Sequence, residues 1–252
     1  VANQLLEAVE KPGSGMEDIA RVIQYDPMIT ASVIKTCNSA YFGLKHPAES
    51  IKDAVNLLGI DRVIELALVK SGAESLSGSH KGYGLGKGEM WRYSVSSAIV
   101  AKQVAQKMSV KKKSTIFTAA LLKDLGKVVL EKHIQKKSNE INTLVSDKGF
   151  SFQEAEKSVL GIDHAELGAI IAKMWKFSPR MVKIIRYHHL PDESMKKDIE
   201  LASVYLSDCI CMMMGDGVGS DGLAYRFKDS VMNEFGITAK DISLIIAEFC
   251  VN

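Results

Sequence analysis

The sequence predicts an all-α protein made of two packed helical subdomains. Three observations predict it. Apolar residues recur at spacings of three and four along nearly the whole chain, no segment alternates long enough to argue for a buried sheet, and the 5 prolines mostly sit at helix edges. With 252 residues, 46% of them hydrophobic and 25% charged, the chain has ordinary globular composition and ample length for a packed core.

The elements follow in order. The opening VANQLLEAVE reads as entry into a helix, and the natural N-terminus is expected upstream. Ile19, Val22 and Ile23, then Ile29, Val33 and Ile34, mark two amphipathic helices. Asp26-Pro27 starts the second: an N-cap acceptor, then proline where no N–H is needed. Ser50 with Asp53 resembles a capping box that opens SIKDAVNLL, and Gly59 ends it. Asp61 is expected to cap DRVIELALVKSG, whose Val63, Ile64, Leu66, Ala67, Leu68 and Val69 suit burial. A DNA-reading helix would offer polar groups to base edges, so this pair reads as an ordinary αα-hairpin.

Residues 71–88, SGAESLSGSHKGYGLGKG, break the periodicity with glycine and serine. They divide the chain into an N-terminal helical subdomain (1–72), a linker (73–88) and a second helical subdomain (89–252). Gly82, Gly84, Gly86 and Gly88 match neither phosphate-loop spacing, and no strand precedes them. Lys111 to Lys113 read as a solvated turn before the next helix.

Several function classes are disfavoured by composition. A net charge of +2 is too balanced for a nucleic-acid or anionic-membrane surface. Charged residues interrupt every apolar run, so no membrane span or signal peptide is expected, and the location expected is cytoplasmic. The 4 cysteines, Cys37, Cys209, Cys211 and Cys250, form no C-x-x-C pair and are expected as buried, reduced thiols.

The second half carries the chemistry. LLKDLGKVVL holds Lys123-Asp124 between apolar flanks, IDHAELGAIIAKMW places His164 near a helix start, and KIIRYHHLPDE ends a helix with His188 and His189. Asp163 or the loop before it is the cap of the His164 helix. Asp208 sits in LASVYLSDCICMMM, where a buried carboxylate needs a partner. Imidazole and carboxylate are the usual ligands of catalytic divalent metals, and a metal-bound water can attack phosphorus. A lone histidine, though, is more often a core or surface residue than a ligand.

YDPMITASVIKTCNSAYFG and SIKDAVNLLGIDRVIEL, followed by MWRYSVSSAIVAKQVA, AALLKDLGKVVL, HAELGAIIAKMW and IIRYHH, resemble the HDOD branch of the HD superfamily of metal-dependent phosphohydrolases. The first-half markers are Asp26-Pro27, Asn38-Ser39-Ala40 and Ala54 through Gly59. The resemblance implies an HD-like helical bundle for the second subdomain. It also implies a metal set of the form H…HD…D, which falls at Tyr93, Lys123, Asp124 and Asp208. Two ligands are therefore lost: a phenol is a poor ligand near neutral pH, and an ammonium has no lone pair. His164 and one of His188 and His189 match accessory positions that bind a second metal in the related HD-GYP enzymes, but the GYP segment is absent after His189.

Lys123 is expected either to take over the metal's electrostatic role between Asp124 and Asp208, with Tyr93 adding a hydrogen bond, or to point to solvent. The resemblance implies a non-catalytic bacterial signalling or regulatory module, without a cofactor, that binds a partner protein or nucleotide-like ligand in the groove between the subdomains. Arg92, Lys123, His164, His188 and His189 are the candidate ligand contacts. The alternative is an active metal-dependent phosphohydrolase with an altered ligand set drawn from Asp124, His164, His188, His189 and Asp208. A nucleic-acid-linked regulator is the third reading, and the charge balance argues against it.

Overall fold

The computed structural model describes residues 16–39, 42–60, 62–63, 66–67, 78–190, 192–216, 219 and 228–251, and these are helical with no strand among them. The expected cap at Asp61, the opening VANQLLEAVE and residues 71–77 of the linker lie outside the described residues.

The first subdomain contains α1 (Met16–Gln24), α2 (Pro27–Cys37) and α3 (Ile51–Leu58). The caps are those the sequence implies. Asp26 Oδ1 accepts from the Ile29 amide at 2.9 Å, and Ser50 Oγ accepts from the Asp53 amide at 3.1 Å. Asp53 in turn accepts from the Glu49 amide at 3.0 Å, one residue before the cap, so the reciprocal bond to the Ser50 amide that a capping box requires is replaced by one to its neighbour. Gly59 ends α3 at φ +79°, a conformation open to glycine at little cost. Ile23, Ile29, Val33, Cys37, Ile51 and Ala54 form the local core. Helix α2 is shared, since its Ala31 and Ile34 enter the core of the second subdomain instead.

That second core is built on α4 (Glu89–Lys107), α5 (Lys113–Leu122) and α11 (Ile199–Met213). Helix α11 is buried without a break from Leu201 to Cys211, and so cannot keep its serines and Asp208 on a wet face. Around these three pack α6 (Leu125–Lys136), α7 (Ser138–Lys148), α8 (Phe152–Leu160), α9 (His164–Met174) and α10 (Pro179–Tyr187). Helices α12 (Asp229–Phe235) and α13 (Ala239–Val251) complete the described chain. The α6–α9 crossing is closest at Gly126, where an added Cβ would lie 2.0 Å from the His164 carbonyl oxygen. Backbone there leaves no room for a side chain, and this contact brings the residues at the start of α6 against the start of α9.

Two expectations change. Residues 78–88 are more than a linker: a bridge between His80 and Leu85 and a 3-10 turn at Lys81–Tyr83 fold this stretch back on α6. The reason is apolar. Tyr83 is fully buried, and it packs in a cluster with Leu85, Met90, Leu130, Ile134 and Phe152. Of the cysteines, Cys37, Cys209 and Cys211 are buried thiols, but Cys250 is exposed near the end of α13. No helix among the described residues is long and apolar enough to cross a membrane.

Candidate functional site

Four helices deliver a buried polar cluster. Tyr93 comes from the first turns of α4, Lys123 and Asp124 from the junction between α5 and α6, and Asp208 from the middle of α11. The junction matters because Asp124 is the N-terminal flanking residue of α6, with its carboxylate free of capping duty. Lys123 Nζ stands between the two acids: it ion-pairs with Asp124 Oδ2 and lies 2.7 Å from Asp208 Oδ1. Tyr93 donates its hydroxyl to the same Asp208 oxygen, and its ring faces the ammonium at 4.5 Å. Lys123 is 1% exposed, so the solvent-pointing alternative does not hold.

A second cation belongs to the cluster. Lys127 Nζ lies 2.9 Å from Asp124 Oδ1, and it sits 5.6 and 5.9 Å from the ring centres of Tyr83 and Tyr93. Burial opposes ionisation of Asp124, yet Lys123 and Lys127 hold its carboxyl well below the usual carboxylate range. Burial likewise opposes charge on Asp208, but Lys123 keeps its pKa lowered. Lys123 itself loses hydration, and the two carboxylates more than offset that loss and raise its pKa. Burial, and then the two aspartates, push the Tyr93 phenol far up, so it keeps the proton that it donates to Asp208.

Asp124 also joins this group to the histidines. Its Oδ1 is 3.7 Å from His164 Nε2 and 4.0 Å from His188 Nε2. His164 begins α9, whose N-cap is Asp163, accepting from the Glu166 amide at 2.7 Å. The His164 ring is held by Glu156 of α8, with Nδ1 to Oε2 at 2.6 Å, and the same oxygen accepts from the His164 amide at 2.9 Å. The other Glu156 oxygen accepts from Tyr83 OH at 2.7 Å, which ties the folded 78–88 segment to the cluster. His188, at the end of α10, contacts the Ile185 carbonyl through Nδ1 at 2.8 Å. That contact requires the proton on Nδ1 and leaves the Nε2 lone pair without a hydrogen-bond partner. His164 Nε2 and His189 Nε2 are 2.9 Å apart.

Burial and neighbouring charge shift the histidines in opposite directions. Burial opposes protonation of His164, but the Glu156 carboxylate overrides it and raises the pKa. Burial lowers His188 to about 4 and holds His189 well below its ordinary value. The ligand atoms of His164, His188 and His189 all lie within 4.8 Å of one another. A carboxylate or carbonyl on the second nitrogen is the usual support of a metal-binding imidazole, and His164 and His188 each have one. This trio fits a divalent metal in chemistry and spacing. The Tyr93, Lys123, Asp124 and Asp208 group does not fit one, because an ammonium stands between the acids.

The structure thus unites every candidate site residue except Arg92. Its guanidinium is largely exposed and pairs with Asp216 at 2.9 Å. None of the three histidines lines the cleft between the subdomains; His164 and His188 are buried in the second subdomain and His189 is half-buried beside them. Sequence reasoning missed Lys127, Glu156 and Tyr83. Lys127 follows Lys123 by four residues, and Glu156 falls on the apolar face of α8 beside Phe152 and Ala155, which is the signal that would have exposed it.

Comparison with known proteins adds the ancestry. A family model described as the HDOD domain matches residues 1–191. A protein of Treponema pallidum described as uncharacterized is 22% identical over 191 residues, 74% of this chain, and the match spans only 36% of that relative's length. The MmoQ response regulator of Methylococcus capsulatus has a similar structure, with a TM-score of 0.72 at 18% identity over 97% of this chain and 94% of that one. An HDOD domain protein of unknown function from Geobacter sulfurreducens superimposes with a TM-score of 0.52 at 23% identity, over 99% and 87% of the two chains.

Proposed function

The chain belongs to the HDOD domain family, and we propose that it is a non-catalytic signalling module of a bacterial cytoplasm whose former metal site is held together by its own lysine. One observation carries this reading: Lys123 Nζ lies between Asp124 and Asp208, where it neutralises the acids that a metal would otherwise bridge. Tyr93 satisfies the remaining demand of Asp208 for a donor. With both cations internal, the cluster is an electrostatic core that keeps α4, α6 and α11 in register. The likeness to a response regulator supports a regulatory role. Burial of Lys123, His164 and His188 favours a protein partner over a nucleotide-like ligand at the cluster, since an anion would have to unpack the helices to reach them. Neither a nucleic acid nor a membrane is proposed as a partner.

A metal-dependent phosphohydrolase with an altered ligand set is the second reading, and one observation favours it: the supported histidines His164 and His188 beside His189. Those three would hold the ion with Asp124, and a bound divalent metal would supply Lewis acidity and an activated water. Lys123 and Lys127 oppose it by occupying both oxygens of Asp124.

Metal analysis of protein purified without chelator, with a general phosphodiesterase assay, separates the two. The first reading expects neither stoichiometric metal nor turnover. Bound metal together with hydrolysis that is lost in Asp124→Ala would replace it with the second.

A further inference from the structure

The two subdomains meet along a seam that is apolar on one side and ionic on the other. The apolar side is the shared helix α2, with Ala31 and Ile34 in the second core, Tyr25 edge-on to Phe117 at 5.7 Å, and Lys35 over the Trp175 ring at 4.9 Å. The ionic side is Glu49, the residue before the α3 cap. Its Oε2 accepts from Thr115 Oγ1 and from Lys112 Nζ, each at 3.1 Å, and its carboxylate also takes a hydrogen bond from Ser178. Thr115 is in the first turn of α5, whose N-cap residue Lys112 supplies no side-chain acceptor, and Ser178 is the N-cap of α10. One carboxylate from the first subdomain thereby serves two helix starts of the second, where the positive ends of the helix dipoles favour an anion.

Glu49 is also held rigidly on its own side. Asn38 clamps the preceding residue, with Ala48 N to Oδ1 at 2.7 Å and Nδ2 to Ala48 O at 3.1 Å. Asp53 accepts from the Glu49 amide. Beside it a cleft of about 640 Å³ opens between the subdomains, lined by Pro47, Leu57, Lys112, Pro179 and Arg180 among others. The geometry points to Glu49 as a latch: it fixes the aperture of this cleft, and its release lets the first subdomain rock about the α2 strip. Burial opposes charge on Glu49, but Ser178, Lys112 and Thr115 lower its pKa, so the latch stays ionised at neutral pH. The latch is independent of the reading of Lys123, because none of its groups belongs to that cluster.

Paired spin labels at Lys52 and Lys111, in a Cys250→Ser background, read the aperture by pulsed electron spin resonance. Glu49→Ala is expected to lengthen and broaden the distance distribution and to speed hydrogen exchange in α3 and the first turn of α5 by roughly tenfold, the loss of about one charge-assisted hydrogen bond. Circular dichroism checks that the helices persist. If Glu49→Ala fails to fold, Thr115→Val decides, with the same changes on a smaller scale. Unchanged distances and exchange rates in a folded variant overturn the latch.

Discussion

Replacing Lys123 with methionine keeps the length of the side chain and removes only its charge. Both acids it serves are almost wholly buried, Asp124 at 3% and Asp208 at 1% exposure. Breaking a buried ion pair on one side costs about 3–5 kcal/mol, because the orphaned charge stays in the interior. Two carboxylates are orphaned here, but Lys127 still faces Asp124 and Tyr93 still donates to Asp208. The lower end, about 3 kcal/mol, is therefore expected, or roughly 6–12 °C in Tm for a chain of this size. Urea and thermal melts followed by circular dichroism measure it. The pH slope is the sharper readout. In the wild type Asp124 and Asp208 have lowered pKa values, so their stabilisation is present above the unfolded value near 3.9 and is lost as pH falls through the folded values. In Lys123→Met burial is offset only by Lys127 at Asp124 and by Tyr93 at Asp208, so the folded pKa values rise and the variant loses less stability than the wild type as pH falls. Lys123→Met/Asp208→Asn removes one orphan and is expected to regain about half the loss. A loss under about 1 kcal/mol, or a variant whose pH slope matches the wild type's, refutes the idea that Lys123 holds the site together.

Gly126→Ala puts a methyl group 2.0 Å from the His164 carbonyl oxygen and 2.9 Å from the Gly168 amide nitrogen, so α6 and α9 must part. A loss of about 3 kcal/mol or more in a urea melt is expected, above the usual cost of overpacking because the obstacle is backbone. Glu156→Gln removes the anion that holds both His164 and Tyr83, and a loss of about 2–3 kcal/mol is expected, with faster exchange of the 78–88 amides by mass spectrometry. Tyr93→His/Lys123→His restores the missing ligand types, and elemental analysis is expected to find divalent metal near one equivalent or above where the wild type carries less. No gain of metal in the folded double variant would mean that more than these two positions separates this cluster from a metal site.

The helices and their caps were legible because they are local. Asp26 with Pro27, Ser50 with Asp53, and Asp163 each satisfy amides within three residues, and short-range patterning reveals such contacts. The Tyr93, Lys123, Asp124 and Asp208 set was legible only through resemblance, since those residues span 115 positions between Tyr93 and Asp208. Glu156 was legible only as a polar residue on the apolar face of α8, without its partners, and Tyr83 was not legible, because it sits in a glycine-rich stretch that has the composition of a linker. Their roles depend on a contact 73 residues apart, which neither periodicity nor propensity encodes. Arg92 misled for the opposite reason: it adjoins Tyr93 in sequence, but adjacent helical positions diverge by about 100°.

The cluster is best understood as two half-sites that share one carboxylate. On one side Lys123 and Tyr93 meet Asp208; on the other Glu156 steadies His164 near His188 and His189; Asp124 stands between them. Without a cation Asp124 and Asp208 would be neighbouring buried anions, and Lys123 offsets that repulsion by pairing with both. The same lysine, with Lys127, then weakens any cation on the histidine side, because both oxygens of Asp124 already face an ammonium. Stability and metal affinity are thus set against each other at Asp124. Changes that free Asp124 from Lys127 ought to raise metal affinity at His164, His188 and His189 while lowering the melting temperature. A variant such as Lys127→Met, titrated with zinc, tests that opposition directly: affinity and stability moving in the same direction would show that the half-sites do not share Asp124.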